Sequence, residues 1–164
     1  MKTAPTPPLQ PSRTPPDWAG VAARVALGLL FIVSGAMKAS TPAEEFSVVI
    51  ESYQILPVDM CLTLATFLPW FELLIGYALL SGCMTKKAAV AGGGLLLCFI
   101  GAIASTKLRG IELPNCGCFG MRFHPSTTMT LAMDTFMAGI AVLAYQKGDS
   151  RLSLDRWAQG APNP

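Results

Sequence analysis

Four long apolar stretches leave this 164-residue chain few folds to choose from: Trp18–Lys38, Cys61–Gly82, Lys87–Lys107 and Thr127–Gln146. At ~1.5 Å rise per helical residue, each is long enough to cross the ~30 Å hydrocarbon core of a bilayer. The overall balance agrees, with 52% hydrophobic and 13% charged residues, which is unusual for a domain in water. Pro69 inside the second stretch and the glycine run 92–94 inside the third also suit a membrane, where neighbouring helices restore the freed backbone groups. The expected fold class is an all-α membrane protein: a four-transmembrane-helix bundle with a short amphipathic helix in the first exoplasmic loop.

The flanks read differently. Residues 1–16, "MKTAPTPPLQPSRTPP", are rich in Pro and Thr and lack the apolar core of a signal peptide. They are expected to form a disordered cytoplasmic tail, followed by a single membrane domain over 17–147 and a second cytoplasmic tail over 148–164. Lys86 and Lys87 occupy the turn between the second and third spans, and Lys147, Arg151 and Arg156 follow the fourth. The first loop instead carries Glu44, Glu45, Glu51 and Asp59. By the positive-inside rule both termini are then cytoplasmic and the first and third loops exoplasmic, although Lys107, Arg109 and Arg122 in the third loop run against it. A net charge of +2 with no basic stripe argues against a nucleic-acid partner.

The segment "TPAEEFSVVIESYQILP" has the sequence of a short helix. Thr41 is placed as N-cap, Pro42 at the first helical position and Glu44 three residues after Thr41, the pattern of a capping box. Phe46, Val49, Ile50 and Tyr53 share one face, and Pro57 is expected to stop the helix. It is either a lid on the bundle at the outer interface or a docking surface for a partner.

Each span also carries a small or polar stripe, as close helix packing in a membrane requires. The stripes are Arg24, Gly28, Phe31, Gly35 and Lys38; Ala65, Pro69, Glu72 and Gly76; Gly94, Cys98, Gly101 and Ser105; and Thr127, Asp134, Ala138 and Ala141. Counting inwards from opposite sides puts Arg24 and Glu72 within about one turn of the same depth. Isolated charges there are costly, so an Arg24–Glu72 ion pair is expected, with either a structural or a catalytic role. Asp134 has only Lys38 or Lys107 as a basic candidate; it is read as a proton-handling group in a wet cavity or as a helix–helix hydrogen-bonding group.

Five cysteines leave at least one unpaired within a monomer. Cys83 lies at the cytoplasmic end of the second span, where a thiol stays reduced. Cys98 is read as a small apolar residue facing the bundle, and Cys61 as a packed residue or an auxiliary exchanging thiol. "NCGCFG" at 115–120 is another matter, with Cys116 and Cys118 one residue apart in a loop read as exoplasmic. Gly117 and Gly120 permit tight backbone conformations, and Lys107, Arg109, Arg122 and His124 favour a thiolate. Redox exchange, a structural bridge or turn, and metal binding are the three readings, the last short of the four ligands a structural zinc wants. His124, the only histidine, is either a loop residue or a base beside the thiols.

"RVALGLLFIVSGAMK", "LPWFELLIG" and "CGCFG", in that order, resemble the MauE branch of the DoxX-like membrane proteins over residues 20–146. The matching positions are Arg24, Gly28, Gly35, Lys38, Pro69, Trp70, Glu72, Cys116, Cys118, Phe119 and Gly120. The resemblance implies a four-span bacterial inner-membrane protein of methylamine utilisation. Such proteins are implicated in maturing the disulfide-rich small subunit of methylamine dehydrogenase, alongside a thioredoxin-like periplasmic partner. The expected function is therefore thiol–disulfide exchange through Cys116 and Cys118 with such a partner, on behalf of a disulfide-rich periplasmic client. The competing expectation is a non-catalytic assembly factor or anchor in the same pathway; a transporter fits less well, because the spans hold few polar groups. No nucleotide or flavin motif and no metal site is expected, and a quinone near Cys98, Glu72 and Asp134 is the candidate membrane electron carrier.

Overall fold

The computed structural model describes residues 18–111 and 127–147. Five helices run through them: α1 (Trp18–Ala39), α2 (Ala43–Ser52), α3 (Val58–Ser81), α4 (Thr85–Leu108) and α5 (Thr127–Lys147). All but α2 are long and apolar enough to cross a membrane. Both tails and the 112–126 segment, with Cys116, Cys118, Phe119 and His124, lie outside the described residues.

The long helices form a ring in which α1 touches α3 and α5, and α4 touches α5 and α3. Neighbours are antiparallel. Gly28 meets Gly76 and Leu80 of α3, while Gly35, two turns on, meets Pro69 and Glu72. Gly20 packs on the backbone of Lys147, so the start of α1 and the end of α5 lie side by side. The bundle therefore has one end with Trp18, Ser81, Thr85 and Lys147, and an opposite end where Ala39, Val58, Leu108 and Thr127 gather around α2.

Glycine sets the α1–α3 approach. A methyl on Gly76 would stand 2.9 Å from the Gly28 carbonyl oxygen, and one on Gly35 2.9 Å from that of Pro69. Backbone can come this near only where no Cβ intervenes. The expected stripes on α1 and α3 are buried throughout. The outward face of α3 holds Phe67, Trp70, Phe71, Leu74 and Tyr77 at helical spacing, all exposed. A helix apolar on both faces, with its bulk outside and its small residues inside, is built for lipid.

The α4 stripe is a correction. Gly94, Cys98 and Gly101 are exposed, and nothing lies within 4 Å of a Cβ placed on Gly94 or Gly101. The packed face is instead Thr85, Ala88, Ala89, Gly92, Leu96, Ile103 and Thr106, with Gly92 against Phe31 of α1. Both faces of α4 carry small residues, so smallness alone does not select the inner one.

The helix ends follow local rules. Gly82 (φ 71°) and Gly110 (φ 68°) close α3 and α4 in the left-handed conformation. Cys83 N–H donates to the Ala78 carbonyl and Ile111 N–H to that of Thr106, which completes two Schellman motifs. α2 departs from the expected capping box: Pro42 is its N-cap, with no side-chain cap, and Thr41 Oγ1 donates to the Met37 carbonyl at 3.2 Å. The hydroxyl finishes α1 rather than starting α2. Nor does Pro57 stop α2, which ends at Ser52; Pro57 is the N-cap of α3. The apolar face is as expected, with Phe46 and Val49 buried against Ala65 and Leu68 of α3.

Candidate functional site

Lys38, in the last turn of α1, is buried to 2% exposure with its ammonium inside the bundle. Its Nζ donates to Glu72 Oε1 of α3 at 2.6 Å and to Ser34 Oγ, one turn back on its own helix, at 2.9 Å. Ser34 Oγ in turn donates to Glu72 Oε2 at 3.0 Å, so both carboxylate oxygens are engaged. Helical side chains tilt towards their own N-termini, and α1 and α3 run in opposite senses, so the two side chains lean towards each other. Phe99 of α4 and Phe46 of α2 complete the shell, with ring centroids 5.0 and 5.8 Å from Nζ. Four helices thus converge on one cation–carboxylate pair.

This overturns the expected Arg24–Glu72 pair. Arg24 is also buried, but it lies eleven residues, about 16 Å along the helix, from the Gly35 level where Glu72 sits. Equal depth for Arg24 and Glu72 requires helices with flush ends. Instead α1 and α3 are staggered, α3 begins at Val58 beyond the end of α1, and α2 packs on the step. Asp134 is likewise buried, and neither expected partner serves it: Lys38 is committed to Glu72, and Lys107 Nζ donates to Thr128 Oγ1 at 3.0 Å.

Lys38 also forms the floor of a cavity of about 800 Å³ between α3 and α4. Phe46 and Val49 of α2 and Tyr53 just after it line one side, and Leu68, Phe99 and Ala102 line the rest. Cys98, expected to face the bundle, lines this space and is exposed. No residue of α5 lines it, so Asp134 stands apart, and Glu72 reaches it only through Lys38. At the rim, the Arg109 guanidinium donates to the backbone carbonyls of Tyr53, Gln54 and Ser105, tying the end of α4 to the turn after α2.

Cys61 is fully buried; its Sγ lies 3.5 Å from the Pro57 carbonyl and 3.8 Å from that of Leu56. Cys83 is exposed at the opposite end of the bundle. No group of three or more His, Cys, Asp and Glu is placed to hold a metal among the described residues.

The sequence reading missed Ser34, Phe46 and Phe99 as partners of Lys38, and the cavity with them. A signal was present for Ser34: it stands four residues before Lys38, on the same face. Nothing comparable marks the phenylalanines, which arrive from two other helices.

The positions that carried the family resemblance now have a place. Arg24, Gly28, Gly35, Lys38, Pro69 and Glu72 are all buried on α1 and α3, while Trp70 faces outward. Comparison with known proteins agrees. The family model for methylamine utilisation protein MauE matches residues 16–146. The methylamine utilization protein MauE of Paracoccus denitrificans is 32% identical over 127 residues, covering 77% of this chain and 68% of that protein. Its counterparts in Methylophilus methylotrophus (31% over 121 residues) and Methylorubrum extorquens (34% over 117 residues) cover 68% and 71% of the chain. Here the chain spans only 63% and 62% of the relatives' lengths. No solved structure matches it. With four helices long and apolar enough to cross a membrane and a family match over residues 16–146, the chain belongs to the MauE family of methylamine utilisation proteins.

Proposed function

We propose that this protein is an inner-membrane thiol–disulfide exchange protein that helps mature a disulfide-rich periplasmic enzyme. The client that the resemblance implies is the small subunit of methylamine dehydrogenase. Cys116 and Cys118 carry the exchange, and a thioredoxin-like periplasmic protein is the partner. The termini are cytoplasmic and the CxC segment periplasmic, with His124 as the nearby base.

The observation that carries this reading is the family match, which runs through "CGCFG" within residues 16–146. Its chemistry follows from thiol reactivity. A thiolate of one protein attacks the disulfide of the other, forming a mixed disulfide and releasing one thiolate. The neighbouring cysteine then attacks the mixed disulfide, so one protein ends as disulfide and the other as dithiol, with two electrons transferred. Arg122, basic and four residues from Cys118 in the sequence, favours the thiolate that starts the exchange.

Thiol trapping in intact cells tests it. Cys116→Ser and Cys118→Ser are expected to accumulate a mixed disulfide through the remaining cysteine, visible on non-reducing gels and lost on reduction. If Cys116 and Cys118 keep one oxidation state throughout, and both variants still yield mature client, the protein is an anchor and not an exchanger.

A further inference from the structure

An ammonium has three N–H donors. Glu72 and Ser34 take two of those on Lys38. The third has no hydrogen-bond acceptor among the described residues; Lys38 lines the cavity, and the rings of Phe46 and Phe99 lie 5.8 and 5.0 Å from its Nζ. Lys38 is nearly fully buried, and the little of it that is open faces this cavity. At about 800 Å³ the space falls within the ~300–1,000 Å³ range of small-molecule sites. Its outer wall includes Leu64, Cys98 and Gly101, all exposed, so it communicates with the bundle's surroundings between α3 and α4.

The lining narrows the chemistry of the occupant. A plain hydrocarbon chain would leave the third N–H without an acceptor in an apolar space, the costly outcome. A carboxylate or phosphate would satisfy it but would stand beside Glu72, which already neutralises Lys38. A neutral carbonyl meets both conditions. Carried on a flat ring, it also places a π-face among Phe46, Tyr53 and Phe99. We infer that this cavity binds a lipid-soluble quinone, with one ring carbonyl accepting the hydrogen bond from Lys38 and the tail leaving between α3 and α4. The inference concerns binding alone and stands whether or not Cys116 and Cys118 exchange disulfides.

Cys98 lines the cavity and Cys83 lies at the far end of the bundle, so alkylation of the two reports occupancy with an internal control. The protein is used with Cys116→Ser and Cys118→Ser, which removes thiol exchange from the readout. A fully ring-substituted benzoquinone with a decyl tail is the probe, and decylbenzene and palmitate are the comparisons. At ten times its dissociation constant the quinone is expected to slow Cys98 alkylation about tenfold, by mass action, and leave Cys83 unchanged. In Gly101→Phe the ring enters open space, because nothing lies within 4 Å of that Cβ position. This variant is expected to keep its melting temperature and lose the quinone dependence. No protection of Cys98, equal protection by decylbenzene or palmitate, or full protection in Gly101→Phe would each overturn the assignment.

Discussion

Lys38 and Glu72 are 34 residues apart in sequence and 2.6 Å apart in space, joined across the α1–α3 contact where neither side chain reaches solvent. The pair sits where α2 and α4 also arrive, through Phe46 and Phe99. Breaking it therefore concerns four helices, and it does so asymmetrically.

Removing one partner leaves the other as an uncompensated buried charge. Glu72→Gln and Lys38→Met are each expected to destabilise the bundle by about 3–5 kcal/mol. The double variant should lose much less than the sum, with a coupling energy of roughly 1–3 kcal/mol. Thermal unfolding of all four proteins in one detergent measures this; simple additivity would mean that the pair contributes nothing as a pair.

The glycines divide into two groups. Gly76→Ala and Gly35→Ala push a methyl to 2.9 Å from an opposing carbonyl oxygen and are expected to cost about 1–3 kcal/mol as the helices part. Gly94→Ala and Gly101→Ala meet nothing, and should be neutral or stabilising by up to about 1 kcal/mol. Melting temperatures of the four variants check the ranking.

Arg109 is exposed, yet it donates to carbonyls on both sides of the cavity rim. Arg109→Ala should leave the global melting temperature almost unchanged and loosen the turn after α2. Amide exchange in peptides covering residues 53–60 is expected to rise on the order of tenfold, the effect of about one lost hydrogen bond. Unchanged exchange there would show that the turn holds without it.

Thiol accessibility distinguishes the three cysteines among the described residues. With Cys116 and Cys118 replaced by serine, Cys83 and Cys98 should react with maleimide in the folded protein, and Cys61 only after unfolding. Rapid labelling of Cys61 in the folded state would contradict its burial.

Apolar length revealed the four spans to within three residues, because twenty-residue apolar runs have few other uses. The small-residue stripes on α1 and α3 were legible for a similar reason: small residues opposite bulky ones mark an inside and an outside. The site was not. Whether Glu72 meets Arg24 or Lys38 depends on the stagger of two helices, which no count along either one contains. Thr41 misled because a hydroxyl between two helices can serve the end of one as readily as the start of the next. On α4 small residues occur on both faces, and only the placement of α1, α3 and α5 decides which of them is covered.

Gly20 against Lys147 closes the ring of helices with the two ends of the described fold in contact. The start of α1 and the end of α5 are thus neighbours in space although they lie far apart in sequence. A circular permutant that links the end of α5 to the start of α1 and opens at the Gly82–Met84 turn would keep every helix beside its present neighbours.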